Sequence, residues 1–210
     1  AAVSPDGTTT ATFVETDGSA STGVRSNASI TKTATYYAHS FYFKPGGYNV
    51  AGFDYGSGTP DNYAEAWIDV TTGSSFVAST FDSISSTSVG NGWYRISALQ
   101  LVVTPGTTPT WGKVLSTRPD VPTGTSQTFT PTPGSGGYFW GHQEEVGSTA
   151  TTYIPTTSTI GGAPRFDHDP VTLQSLGLLI EEAGTNYCTN SNSPGSWAAL
   201  NGATIQTFAS

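Results

Sequence analysis

Apolar and polar residues alternate one for one along most of the chain, and turn residues break the alternation roughly every eight to twelve positions. A period of two places successive side chains on opposite faces of a sheet, so these runs read as strands. They are Thr8–Glu15, Gly23–Ile30, Thr35–Lys44, Tyr48–Tyr55, Glu65–Val70, Ser75–Phe81, Trp93–Val103, Gln127–Pro131 and Tyr138–Glu145. Between them fall Pro45-Gly46-Gly47, Ser57-Gly58-Thr59-Pro60, Gly90-Asn91-Gly92, Pro105-Gly106 and Pro133-Gly134-Ser135-Gly136-Gly137, all turn formers. No stretch carries a sustained helical period of apolar residues. The predicted class is all-β, in the rhythm of a sandwich or barrel.

After Ile154-Pro155 the pattern changes. A small polar connector, TTSTIGGAP, precedes RFDHDPVTLQSLGLLIEEAGTNY, whose one apolar cluster runs from Leu173 to Ile180 between turns. We read residues 1–157 as a β-sandwich, 158–189 as an extended connector with a short hairpin, and 190–210 as a strand segment. That last segment has the form of a module beginning: a Ser193-Pro194-Gly195 turn, Trp197 as an anchor, an Asn201-Gly202 turn, then the alternation Ala203 to Phe208.

Composition narrows the function classes. Charged residues make up only 10% of the chain, lysine is confined to Lys32, Lys44 and Lys113, and the net charge is −8. No basic stripe exists to neutralise phosphates, which argues against nucleic acid as a partner. No apolar run has the length of a membrane span. A polar but uncharged Ser/Thr/Asn/Gly surface suits an exposed structure outside the cell, and the lack of methionine predicts a processed chain or a piece of a longer one. Cys188 is the single cysteine, so no intrachain disulfide can form.

The segments ATYYAHSFYFKPGG, GNGWYRISALQLVV and GGYFWGHQEEVGSTATTYIPT together resemble the carbohydrate-binding-like jelly-roll modules of tailed-bacteriophage fibre, spike and decoration proteins and of related bacterial surface proteins. APRFDHDPVTLQSLGLLIEEAGTNY is similar to the connector that follows such a module. The resemblance covers most of the chain from about Asp6 onward. It implies an antiparallel two-sheet jelly roll with an extended C-terminal arm and a non-catalytic structural or glycan-contacting role. His39, His142 and Glu144 stand where the family carries aliphatic or small residues, which suits a subunit contact better than a monomer core.

Candidate chemistry is sparse. Sugar rings stack on exposed aromatic faces, and the strand Tyr36–Lys44 carries large aromatics on both sides, more than one buried face accounts for. Tyr36, Tyr42 and Trp67 are the glycan-face candidates, weighed against packing under loops or against a neighbouring subunit. Trp93, Trp140 and Arg95 read as core or interface residues, with Arg95 expected to satisfy carbonyls or a carboxylate such as Glu145. Glycoside hydrolysis needs two carboxylates facing one cleft, whereas the adjacent pairs Glu144-Glu145 and Glu181-Glu182 point to opposite sides of a strand. No nucleophile elbow is present, and Asp167-His168-Asp169 reads as a turn before Pro170 more readily than as a metal cluster. We therefore assign no catalytic residue, no metal ligand and no cofactor. A structural calcium held by turn carbonyls and Asp6 or Asp17 is compatible with a jelly roll.

The expectation is a structural subunit of an extracellular assembly, such as a phage fibre, a decoration or a surface filament. Its partners would be copies of itself, with cell-surface glycans second; the alternative is a free-standing lectin-like module. The alternating tail must find a sheet edge, since unpaired backbone groups are costly to bury or expose. Trp197, Ile205 and Phe208 are the assembly-strand residues, and the expected edge is that of the next subunit, in head-to-tail strand donation.

Overall fold

The computed structural model describes residues 2–16, 23–25, 30–55, 64–103, 105–108, 113–125, 127–156, 166–168, 175–178, 198–200 and 203–206, and no helix occurs among them. Sixteen strands follow in chain order: β1 (Thr12–Thr16), β2 (Gly23–Arg25), β3 (Ile30–Lys32), β4 (Thr35–Gly46), β5 (Val50–Tyr55), β6 (Ala64–Asp69), β7 (Ser75–Ala78), β8 (Phe81–Gly90), β9 (Trp93–Val102), β10 (Gly106–Thr108), β11 (Lys113–Arg118), β12 (Gly136–Val146), β13 (Phe166–His168), β14 (Ser175–Leu178), β15 (Ala198–Leu200) and β16 (Ala203–Gln206). They form an antiparallel two-sheet β-sandwich. The first sheet has the order β16-β1-β12-β4-β9-β8 and the second β15-β2-β11-β5-β6-β7. Two short pairs, β3 with β10 and β13 with β14, stand outside the main sheets.

The alternation read from the sequence sorts the side chains as expected. Val14, Phe41, Phe43, Ile96, Ala98 and Phe139 from the first sheet meet Ala51, Phe53, Ala66, Ile68 and Leu115 from the second, all buried. Their rings pack edge-on or offset, as in Phe41 against Phe53 at 5.1 Å and 87°. At Gly52 the β5–β6 approach leaves no room for a side chain, because a Cβ there would lie 1.9 Å from the Ala66 carbonyl oxygen.

Several elements depart from the pattern reading. Ser75–Phe81 is broken by Ser79, whose φ of 60° ends β7 and lets β8 cross to the first sheet. β8 and β11 were not expected as strands; β8 is Ser/Thr-rich and largely exposed, so it lacks the apolar row that would mark it. Residues 127–131 are not a strand but part of the loop over the second sheet, with Phe129 packed edge-on against Tyr48 at 6.1 Å.

One irregularity decides which side chains of β12 face inward. The β12–β4 register runs through Trp140↔Tyr42, then resumes at Gln143↔Ser40, so Gly141 and His142 together oppose Phe41. Gly141 takes a φ of +63°, the left-handed conformation that such a bulge requires. Past the bulge, Glu144 is the register partner of His39 and both are fully buried.

This corrects the subunit-contact expectation for His39, His142 and Glu144. They lie inside the sandwich, where Lys32 supplies the charge that the sequence pattern did not foresee. Lys32 Nζ is 2.9 Å from Glu144 Oε1, with both side chains 0% exposed. It also donates to Gln100 Oε1 at 2.7 Å, while His39 Nε2 lies 3.0 Å from the same oxygen. Gln100 Nε2 donates to Thr80 Oγ1 at 2.9 Å. Around this cluster stand Tyr37, whose ring lies 4.9 Å from Lys32 Nζ, and Phe53 and Phe81, each 5.5 Å from the His39 ring. A buried ion pair survives where further hydrogen bonds compensate its desolvation, as they do here.

Candidate functional site

The outer face of the first sheet carries Tyr36 and Tyr42, six positions apart on β4 and so about 20 Å from each other. Tyr42 is locked into an aromatic layer with Trp140 at 5.3 Å and Tyr153 at 6.2 Å, and Arg95 lies 5.8 Å from its ring. The layer is roofed by two segments. Trp93 Nε1 donates to the Val3 carbonyl at 3.0 Å and Trp140 Nε1 to Thr10 Oγ1 at 2.8 Å, which pins the N-terminal residues across it. Residues 147–156 are held from the other side: Thr151 N and Oγ1 donate to the Glu145 carboxylate, and Ile154 N donates to Gln143 Oε1 at 2.7 Å. Arg95 donates to Ser40 Oγ and to the Thr151 carbonyl, so it serves a carbonyl, as one of the two readings of the sequence had it. Of the three aromatic candidates only Tyr36 is exposed, at 38%.

Trp67 lies on the opposite side of the molecule, on the outer face of the second sheet, and is 3% exposed. The three glycan-face candidates therefore do not line one site. The physical reason is that the loop of residues 119–135 covers Trp67. Arg118, buried at 2% exposure, stands 5.3 Å from the Trp67 ring and 5.3 Å from the Phe129 ring, and donates to the Gln127 carbonyl at 3.2 Å. A guanidinium already occupies the aromatic face that a sugar would use.

Beside Trp67 the structure assembles a carboxylate pair that the sequence reading missed. Asp54 and Glu65 are register partners across β5 and β6, which puts both side chains on the outer face. Trp67 Nε1 donates to Glu65 Oε2 at 3.1 Å. Burial first and the neighbouring Glu65 charge second push the Asp54 carboxyl up to about 6, against the opposing pull of Arg118. A carboxyl raised by a like-charged neighbour is the electrostatic signature of acid–base sites. The geometry points elsewhere: Glu65 is buried and engaged by the indole, so solvent meets one carboxyl here and not two flanking a cleft.

The third region is the side of the sandwich where both sheets end in tail strands. β16 pairs antiparallel with β1 (Phe13↔Gln206, Val14↔Ile205, Glu15↔Thr204, Thr16↔Ala203), and β15 pairs with β2 (Ala198↔Arg25, Ala199↔Val24, Leu200↔Gly23). The tail does find a sheet edge, and in this structure the edge belongs to its own chain. Ile205 falls within the pairing as the register partner of Val14; Trp197 and Phe208 lie outside the described residues, as do Asp17 and Cys188.

Among the described residues no group of three or more His, Cys, Asp or Glu is placed to hold a metal ion. Asp6, one calcium candidate, instead organises a turn: it accepts from Ser4 Oγ at 2.7 Å and from Thr8 N and Oγ1 at 3.0 and 2.7 Å. Slight burial raises its carboxyl, but these hydrogen bonds outweigh that and hold it below the usual range. No protein-family model matches the chain, and no curated protein matches it significantly. The class defined by the described residues is thus an antiparallel two-sheet β-sandwich closed on one side by its own C-terminal strands.

Proposed function

We propose that the chain is a non-catalytic structural subunit of an extracellular assembly, a phage fibre or decoration or a surface filament, built on a jelly roll. Copies join head to tail, each donating its C-terminal strand pair to the next. The observation that carries the reading is the seam itself: one segment, β15 with β16, supplies the edge strand of both sheets at once. The same ladders form whether that segment comes from the same chain or from a neighbour, since backbone pairing does not depend on chain connectivity. Residues 157–197 link it to the sandwich, and a fully extended chain of that length, at about 3.3 Å per residue, would be longer than a domain diameter. A chain with few charged residues suits an exposed extracellular structure. The glycan-binding alternative rests on Tyr36, the one exposed ring of the three aromatic candidates.

Cysteines placed at the register partners Phe13 and Gln206, with Cys188→Ser to remove the native thiol, separate the two pairings. Oxidation of the assembled protein should give a ladder of covalent oligomers on a non-reducing gel, and removal of residues 193–210 should abolish assembly until the tail is returned as a peptide. A monomeric cross-linked band at every concentration, or a truncated chain that still polymerises, would overturn the proposal.

A further inference from the structure

We propose that the protein cross-links itself by an amide bond between Lys32 Nζ and the side-chain carbonyl carbon of Gln100, inside the sandwich and with loss of ammonia. The four groups that such a reaction needs meet in one dry place. Lys32 is the amine, already 2.7 Å from Gln100 Oε1, so the carbon it must reach is one carbonyl bond beyond the atom it touches. Glu144, fully buried and 2.9 Å from Nζ, is placed to take its proton. His39 Nε2, 3.0 Å from Oε1, is placed to polarise the carbonyl. Thr80 Oγ1 accepts from the amide nitrogen that would leave.

The hydrogen bonds also fix the orientation of the amide. The Lys32 ammonium can only donate, so the Gln100 atom facing it is the oxygen, and His39 must then carry its proton on Nε2 to donate to that oxygen. As charge develops on that oxygen the His39 Nε2–H is the donor that stays on it, since an Nζ bonded to Cδ can no longer donate to the oxygen of the same carbon, and a preorganised donor acts most strongly where water is excluded. The walls exclude it: Phe53 and Phe81 flank His39, and Tyr37 lies beneath Lys32.

The step balances. In a medium without water the charged pair loses its solvation, and transfer of a proton from Nζ to the Glu144 carboxylate leaves a neutral amine and a neutral acid. The amine lone pair adds to Gln100 Cδ while the carbonyl π electrons move to Oε1, held there by the His39 Nε2–H. Glu144 returns a proton to the Gln100 nitrogen, the C–N bond breaks, and ammonia departs as the carbonyl re-forms. The second Nζ proton passes to Glu144, which ends the cycle able to re-ionise. Nothing is oxidised or reduced and no cofactor enters. The product ties β3, which pairs with β10 outside the main sheets, to β9 of the first sheet.

The proposal is independent of how copies assemble, and its test reads mass instead of oligomeric state. The intact mass of the purified full-length chain, measured under denaturing conditions, should fall short of the sequence mass by one ammonia. Tandem spectra of a digest should join the peptides holding Lys32 and Gln100. Gln100→Ala should restore the sequence mass. Glu144→Gln, compared as a folded protein by circular dichroism, should stay un-cross-linked, and His39→Phe should slow the mass change. A wild-type mass equal to the sequence mass after prolonged incubation would overturn the proposal. So would loss of water in place of ammonia, which would make Glu144 the acyl group, or a joined peptide lacking either residue.

Discussion

Replacing Asp54 by Asn should make the protein more stable at neutral pH and leave it unchanged in mild acid. The folded protein holds the Asp54 proton up to about 6, against 3.8 for the ordinary carboxyl. Between those values the folded chain binds more protons than the unfolded one, so stability falls as pH rises through the window and is flat above it. At about 1.4 kcal/mol per unit the displacement corresponds to about 3 kcal/mol, which screening at this partly exposed group reduces to about 2 kcal/mol. Asn keeps the shape and removes the charge facing Glu65. Urea unfolding of both proteins across the acid-to-neutral range should give a difference of about 2 kcal/mol near pH 7.5 that shrinks toward zero near pH 4. Asp6 and Asp69, both held below 3.8, contribute stability that is present above that value and lost only as pH falls below it. A stability difference that does not vary with pH, or one that grows toward acid, would refute the argument that Asp54 is buried beside a like charge.

Trp67→Ala should cost about 3–5 kcal/mol in urea unfolding, because it empties the space under Arg118 and leaves Glu65 without its indole donor, whereas exposed Tyr36→Ala should stay within about 0.5 kcal/mol of wild type. If Trp67→Ala cost no more than Tyr36→Ala, the ring would not be packed as described. Gly141→Ala should lower stability by about 1–2 kcal/mol, since alanine strains at a φ of +63° and its Cβ would stand 3.0 Å from the Tyr42 ring. Thermal unfolding checks this, and an unchanged midpoint would mean that β12 runs through without a bulge.

The sequence made the sandwich legible through the period of two, which in β4, β5, β6, β9 and most of β12 picks out the residues that turn into the core, although the outer faces of all but β9 are largely covered as well. β8 escaped because an exposed edge strand needs no apolar row, and β11 because its neighbours on both sides supply the pairing that its short pattern does not announce. The separation of Glu144 from Glu145 followed from the period of two, since one turns in to Lys32 and the other out to Thr151. The company each keeps did not follow. Lys32 sits among threonines with no alternation to place it, and the bulge at Gly141 sets which β12 side chains reach it. The Asp54–Glu65 pair depends on register: sliding β6 by one residue would turn Glu65 to the opposite face, and composition alone does not report that choice. Aromatic content likewise marked Trp67 as a candidate platform but carried no sign of the loop that covers it.

The direction of the β1–β16 ladder has a mechanical consequence. Phe13 faces Gln206 at one end and Thr16 faces Ala203 at the other, so the chain enters β1 and leaves β16 at the same end of the pair. Tension applied to the residues before Thr12 and after Gln206 therefore loads the hydrogen bonds one after another, as a zip is opened, rather than all together in shear. Peeling proceeds at much lower force than sliding for the same number of bonds. Under a load applied just before Thr12 and just after Gln206, the tail seam opens before the ladders of β4, β9 and β12, which are flanked on both sides.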